Sequence, residues 1–245
     1  MSKAAPVDAM VEVDLAHPTS TRDRIVSAAR EALVDVGYPG TTISQIATRA
    51  GIAEGTIFRH FPTKAAVLAT TCAAILVDVR HTVANRFLAA LEQDGPPASD
   101  GDAVDRAIAI TWSQYGRLDL VAVHEVFAVS RTDVDLAHLL EELNTPHRAA
   151  LYDLARVALP EHMGARPDFE LIVDFVIDGV ASIGTGSTRD ADTQAGKLAA
   201  LRSAVHALVA GEPIDRLAGA AIAAAAAGPR TPTSNPSTDS EGHRP

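Results

Sequence analysis

The chain has almost no cysteine and no long apolar run. Cys72 is the one cysteine among 245 residues, which excludes an internal disulfide framework and is typical of a reducing cytoplasm. We interpret it as a small buried apolar residue, with a redox sensor as the alternative. No basic leader followed by an apolar segment opens the chain, and no apolar run approaches the roughly 20 residues of a membrane span. We therefore expect a cytoplasmic protein without a membrane partner.

Common sequence signatures of enzymes and metal sites are also missing. The chain contains no phosphate-binding loop, no Gly-x-Ser-x-Gly, no His-Glu-x-x-His and no paired zinc cysteines. His124, His138 and His147 do not have the spacing of local metal ligands. We therefore expect a protein that is not an enzyme and has no catalytic residues, no metal and no cofactor.

Alternation of apolar and polar residues, which is typical of strands, does not occur either. Apolar residues instead repeat at helical spacing, so the predicted fold class is all-α. After the first quarter of the chain we predict helices over residues 63–93, 103–116, 120–130, 135–158, 168–183, 193–210 and 214–227.

The acidic charge of the chain is unevenly distributed. The net charge is −10, yet residues 19–64 carry six Lys and Arg against four Asp and Glu. A basic end on an acidic body favours contact with nucleic acid at that end alone.

The basic end has the pattern of a helix-turn-helix. A first helix is predicted from Ser20 to Val36. Thr42 is a candidate N-cap, with Gln45 completing a capping box. Gly51 ends this second helix, and a third follows over 54–61. Two short helices joined at a glycine turn form the unit whose second helix enters the DNA major groove.

One series of residues in this segment follows a known order without gaps: Thr42, Ile46-Ala47, Ala50-Gly51-Ile52, Gly55-Thr56-Ile57-Phe58 and Phe61-Pro62-Thr63-Lys64. It resembles the DNA-binding segment of the TetR (tetracycline repressor-like) family of transcriptional regulators. Two residues depart from the family pattern. Ala53 stands where a capping Ser is usual, and Glu54 where a Lys or another polar residue is common.

The resemblance implies a domain organisation and a set of DNA contacts. It implies a three-helix DNA-binding domain over residues 19–66 and a ligand-binding and dimerisation domain over 67–227. Residues 1–18 are predicted to be a flexible arm and 228–245 a disordered tail. The contacts with double-stranded DNA are predicted at Thr41, Thr42, Gln45, Ala53, Gly55, Thr56, Phe58, Arg59, His60 and Lys64.

Two late segments, 168–183 and 193–210, carry more apolar residues than surface helices need. We predict that they pair with the same segments of a second copy as a four-helix bundle, an arrangement that the resemblance also implies. Intramolecular core packing is the alternative. A two-fold dimer suits a palindromic site, because two recognition helices then read two half-sites.

The resemblance also implies a small-molecule pocket in the second domain. Aromatic residues are scarce in this chain, so those on apolar helices are candidates together with a few polar neighbours. Plain core packing is the alternative for each of them. The candidates are Trp112, Tyr115, His124, Phe127, Tyr152, Phe175 and Asp178.

These observations predict a homodimeric repressor that a small-molecule ligand releases from a palindromic operator. One alternative is an activator or architectural protein that senses nothing. Another is an all-helical ligand-binding protein or enzyme whose DNA binding is weak or vestigial, which only Ala53 and Glu54 favour.

Overall fold

The computed structural model describes residues 18–186 and 190–211, and within these ranges every regular element is an α-helix. The all-α prediction is therefore confirmed. The helices are α1 Thr21–Gly40, α2 Ile43–Ala50, α3 Glu54–His60, α4 Lys64–Asp94, α5 Asp100–Trp112, α6 Leu118–Ser130, α7 Val134–Ala158, α8 Glu161–Gly164, α9 Phe169–Thr185 and α10 Ala191–Val209.

Most predicted helices agree with these bounds, and the differences have local causes. α5 begins before residue 103 because the Ser99 side chain accepts the Asp102 N–H and starts the helix earlier. The short α8 was not predicted. The predicted helix 214–227, most of the N-terminal arm and the C-terminal tail lie outside the described residues.

The first helix is broken where the sequence predicts its end. Ser20 and Asp23 form a reciprocal capping box at its start. Gly37 has φ of 66°, a left-handed value that glycine adopts without strain. One further helical turn follows it and includes Pro39. This kink positions the chain for the entry into α2.

A large apolar core joins the helix-turn-helix to the rest of the molecule. Ile25 of α1, Ile46 of α2, Ile57 of α3, Leu68 of α4 and Leu140 of α7 belong to one buried cluster. The core therefore crosses the predicted domain boundary between residues 66 and 67. The DNA-binding helices are packed directly on the helices of the second domain, without a flexible linker.

α4 is the central helix of this core. By length and composition it could span a membrane, but residues 67–76 are all buried within the protein. Its apolar composition is therefore explained by core packing. Cys72 lies in the same stretch, and burial raises the pKa of its thiol to about 12. A thiol that is inaccessible and protonated does not suit a redox sensor.

A second, smaller core lies among α5, α8, α9 and α10. Val180 of α9 and Val205 of α10 are buried in it beside Ile108 of α5. Much of the apolar surface that predicts a dimer interface is thus covered within the subunit. Leu171 and Phe175 of α9 remain exposed, at 70% and 42% of their surface.

Candidate functional site: a DNA-binding face and an internal cavity

The turn between α2 and α3 has the geometry of a helix-turn-helix. The Thr42 hydroxyl accepts the Gln45 N–H at 3.2 Å, although Gln45 makes no reciprocal capping bond among the described contacts. Gly51 ends α2 in the left-handed conformation, with φ of 65° and ψ of 40°. Arg24 of α1 donates to the Ala50 carbonyl beside this turn. This hydrogen bond holds the turn against α1.

α3 presents one face to the core and the other to solvent. Ile57 is fully buried, and Phe61 directly after the helix is buried as well. Between them Phe58, Arg59 and His60 are exposed, Phe58 at 51%. Because exposed apolar and cationic side chains lie side by side at the end of a glycine turn, α3 is suited to enter a DNA groove.

The predicted DNA contacts fall on this surface with one correction. Thr42, Gln45, Ala53 and Gly55 are exposed, and Thr56 is half-buried and accepts a 3.1 Å hydrogen bond from Arg59. Thr41 is fully buried, and its hydroxyl donates to the Gly37 carbonyl at 2.7 Å. The prediction that Thr41 contacts DNA is therefore wrong in this conformation, because its one donor is used inside the protein.

Lys64 begins α4 beside the DNA-binding face and packs against α1. Its Nζ lies 4.5 Å from the centre of the Tyr38 ring and 3.5 Å from the Tyr38 carbonyl oxygen. Partial burial lowers the pKa of Lys64, and the charge of Asp133 opposes this shift. The ammonium is held near the surface by an aromatic face, where it remains a candidate phosphate contact.

Lys64→Ala is expected to weaken binding to specific and random DNA alike. If Lys64 neutralises one phosphate, its loss reduces the slope of log K against log salt by about 0.9 for each subunit bound. The measurement is a titration of labelled duplex at several salt concentrations. Arg86→Ala on the same helix, far along α4, is the control and should leave the slope unchanged. An unaltered slope for Lys64→Ala would remove it from the phosphate contacts.

α3 begins without a side-chain cap. Ala53 has the extended backbone of an N-cap, at φ −75° and ψ 147°, but has no side-chain oxygen to accept a hydrogen bond. We expect Ala53→Ser to stabilise α3 by about 0.5–2 kcal/mol, since Ser can accept an N–H of the first turn. Thermal unfolding of the two proteins at one pH tests this. Ala53→Val, which also lacks an acceptor and belongs to the poor N-cap residues, is the comparison, and an equal gain from it would contradict the capping argument.

The second domain contains an apolar cavity of about 200 Å³ that is partly open to solvent. α4, α5, α6, α7 and α9 supply most of its wall, with further residues from α8 and α10. Val83, Phe87, Leu151, Met163 and Val176 are typical of the lining. Polar groups are few, as in most small-molecule sites.

Two of the predicted pocket residues line this cavity and five do not. Tyr115 and His124 are in the wall, with ring centres 5.8 Å apart. The other five lie in different environments, and for them a place in the pocket stays a prediction. Trp112 packs on the smaller core and Phe127 on the larger one. Tyr152 donates to Asp174 at 2.9 Å, while the exposed Asp178 pairs with Arg148 at 3.2 Å near the exposed Phe175.

The other polar residues of the wall were not among the sequence candidates for the pocket: Arg80, Thr111, Gln114, His147 and Arg166. Burial is the largest cause that lowers the pKa of His147 to about 4, followed by the charges of Arg80 and Arg148. His147 is thus neutral at physiological pH. No local motif identifies these residues, since Arg80 and His147 come from α4 and α7, and Gln114 and Arg166 from the connections after α5 and α8.

α6 connects the cavity to the DNA-binding helices. It contributes Leu120 and His124 to the cavity wall. On its other side Asp119 pairs with Arg30 of α1 at 2.6 Å. The Glu125 carboxylate accepts the backbone N–H of Tyr38 at 3.2 Å, at the kink in α1. A shift of α6 would therefore be transmitted to α1.

Comparisons with known proteins agree with this architecture. The family described as bacterial regulatory proteins, tetR family, matches residues 25–71. The uncharacterized HTH-type transcriptional regulator TtgW of Pseudomonas putida is 38% identical over 138 residues, which cover 56% of this chain and 89% of that protein.

Two solved structures have the same fold. A TetR-family transcriptional regulator from Mesorhizobium loti superposes with a TM-score of 0.56 at 18% identity, covering 78% of this chain and 95% of that one. FadR from Bacillus subtilis, solved in complex with stearoyl-CoA, gives 0.51 at 19% identity, with 78% and 98% covered. With the helix-turn-helix geometry and the identity to TtgW, these similarities establish that the chain belongs to the TetR family of bacterial transcriptional regulators.

Proposed function

We propose that this DNA-binding transcriptional regulator is a cytoplasmic homodimeric repressor, without enzymatic activity, that a small-molecule ligand releases from a palindromic operator. The observation that carries the proposal is the double role of α6. The same helix lines the cavity and holds α1 through Asp119 and Glu125. A ligand that displaces α6 would therefore change the position of the helix-turn-helix.

The dimer is proposed through the outer surfaces of α9 and α10, which we call the α9–α10 face. On α9 it contains Leu171, Phe175, Asp178 and Ser182, which follow one another at helical spacing. On α10 it contains the small exposed residues Ala195, Gly196, Ala199 and Ser203, and the exposed Lys197 lies on the same helix. Two large apolar side chains next to small residues can interdigitate across a two-fold axis.

The DNA contacts of the proposal are the exposed residues of α3 together with Thr42, Gln45 and Lys64. Arg59 is the candidate for guanine recognition, because a guanidinium can donate to O6 and N7 together. Phe58 is the candidate for apolar contact with a thymine methyl group. The exposed Glu54 lies at the start of α3 and would repel a nearby phosphate.

Selection of duplexes from a random pool by the purified protein tests the proposal. We expect an inverted repeat with half-sites one helical turn apart, about 10 base pairs, or a multiple of it. Gel-shift assays with the region upstream of its own gene should show the same site. Arg59→Ala is the control for recognition and should abolish the selection while leaving the fold intact. Recovery of no sequence, or of one without symmetry, would count against a dimeric operator-binding protein.

Release by a ligand is a separate measurement. Apolar probes should lower the affinity for the selected duplex. Ile177→Trp, which places a large ring in the cavity wall, should bind the duplex but resist release. An equal response of both proteins would show that release does not act through the cavity.

A further inference from the structure

The wall of the cavity contains cations and, among its described residues, no carboxylate, and this property selects among ligands. Among the described residues that line it, none is an aspartate or glutamate, whereas Arg80 and Arg166 are both present. An apolar site with a cation and no carboxylate disfavours cationic ligands and favours anionic ones, since charges interact strongly where water is scarce.

The two arginines differ in how many of their N–H donors already have a partner within the protein. Arg166 donates to Asp168 at 2.9 Å and to the Val209 carbonyl at 2.8 Å, at the end of α10. It is occupied by a structural role. Arg80 has His147 Nδ1 as its only partner among the described residues, and no carboxylate there lies within ion-pair distance of it. Most of its five N–H donors are therefore free for a ligand.

His147 extends this donor group. Burial and the neighbouring arginines keep the pKa of His147 low, so the ring is neutral. Its Nδ1 accepts from Arg80, which places the proton of a neutral ring on Nε2. A second donor thus stands beside the guanidinium.

A further polar atom in the wall has no partner. His124 Nε2 is buried and makes no hydrogen bond among the described residues. Burial is the main cause that lowers the pKa of His124, and the charge of Asp178 opposes it. An unsatisfied buried polar atom is unfavourable, and a polar substituent of a ligand that reaches it would satisfy it.

The volume limits the size of the ligand. A cavity of about 200 Å³ is somewhat larger than the roughly 150 Å³ that holds benzene. It is smaller than the 300–1,000 Å³ that is usual for drug-sized ligands. The part of the ligand held inside the cavity is therefore small, with an apolar body not much larger than an aromatic ring or a medium-length alkyl chain.

We infer that the effector is a small apolar monocarboxylate, with its carboxylate on Arg80 and His147 and its apolar body between α4, α7 and α9. This inference rests on the proposed ligand-responsive function and names the ligand class for the same cavity. Arg80 supplies selectivity for the anion, because its guanidinium can bind both carboxylate oxygens at once.

Two sets of probes with matched apolar bodies test the inference by calorimetry on the full chain at pH 7.5. The first is octanoate, 1-octanol and octylammonium; the second is 4-ethylbenzoate, 4-ethylbenzyl alcohol and 4-ethylbenzylammonium. The carboxylate of at least one set should bind about 10- to 100-fold more tightly than its alcohol. The ammonium should bind least. If neither carboxylate exceeds its alcohol, the inference is overturned.

Substitutions at position 80 test whether Arg80 causes the preference for the carboxylate over the alcohol. Arg80→Gln should bind the carboxylate and the alcohol about equally, and Arg80→Lys should keep part of the preference. Arg86→Gln removes the same charge from an exposed position of α4 outside the cavity and should behave as the native protein. Circular dichroism confirms that each variant is folded. A preference that persists in Arg80→Gln would overturn the assignment.

A parallel gel-shift series separates this inference from the proposed function. If a carboxylate binds through Arg80 but does not release DNA, the ligand class stands and the release mechanism fails. If the alcohols or ammonium compounds bind and release DNA as well as the carboxylates do, the release mechanism stands and the ligand class fails.

Discussion

Replacing Asp119 with alanine is expected to lower the free energy of unfolding by about 3 kcal/mol, since removal of one partner from a buried ion pair leaves charges uncompensated. The Asp119 side chain is 5% exposed and contacts Arg30 at 2.6 Å and Arg117 at 2.9 Å. Both guanidinium groups are partly exposed to solvent, so we expect a loss of stability at the low end of the range for broken buried ion pairs. Urea denaturation of both proteins measures it.

A more exposed ion pair, between α1 and α2, supplies the matched control. Asp35 pairs with Arg49 at 2.7 Å, but its side chain is 57% exposed. Asp35→Ala should change the stability by less than about 1 kcal/mol, because solvent screens such pairs. Asp119→Asn keeps the shape and removes the charge, so it should fall between the two. Equal effects of Asp35→Ala and Asp119→Ala would contradict the argument from burial.

The same carboxylate predicts a pH dependence. Burial by itself raises the pKa of Asp119, but the hydrogen bonds and charges of Arg117 and then of Arg30 outweigh it and leave the pKa below its ordinary value. A lowered folded pKa contributes stability above the unfolded pKa of about 3.9, and this stability is lost as the pH falls through the folded pKa. The difference in stability between native protein and Asp119→Asn should therefore shrink in acid. A difference that grows there would show that the sign is wrong.

Asp119 also connects the helix that lines the cavity to the DNA-binding helices. It joins α6 to α1, and Arg117 extends the pairs to Asp78 of α4. In Asp119→Asn the ligand should still bind, because Asp119 does not line the cavity. The bound ligand should, however, lower the DNA affinity of this variant less than it lowers that of the native protein. This comparison measures the coupling free energy between the two sites.

The helices and the DNA-binding face could be predicted because their signals are local. Ser20, Thr42 and Thr63 each cap the helix that follows, as the spacing of neighbouring residues indicates. Gly51 ends α2 at the expected position. Such signals act within one or two turns of the chain, so a single sequence contains them.

The cavity could not be predicted in this way. Arg80 and His147 are 67 positions apart and meet only because α4 packs against α7. Aromatic character was a poor guide, since Trp112 and Phe127 fill cores while the exposed Phe175 faces outward. Thr41 shows the same limit on the DNA side, because its burial depends on the kink at Gly37. Each of these outcomes depends on long-range packing.

The excess of apolar residues on α9 and α10 predicts a dimer. The fold shows which of these residues can be substituted to test that prediction. Val205 is 1% exposed and belongs to the smaller core. A charge there would disrupt folding and would reveal nothing about association. Leu171 and Phe175 are the large apolar side chains on the α9–α10 face that remain exposed, so substitutions there affect association without opening the core.

Leu171→Arg combined with Phe175→Arg is expected to convert the proposed dimer into a folded monomer, because two like charges would face their copies across the two-fold axis. A monomer engages one half-site at a time and loses the advantage of linked binding, so affinity for the selected inverted repeat should fall at least about 100-fold. Light scattering at micromolar concentration and a gel shift measure the two effects. Leu88→Arg, at a 57% exposed position of α4, is the matched control and should remain dimeric with native affinity. A double variant that stays dimeric would place the interface elsewhere, and a monomeric native protein would refute the dimer itself.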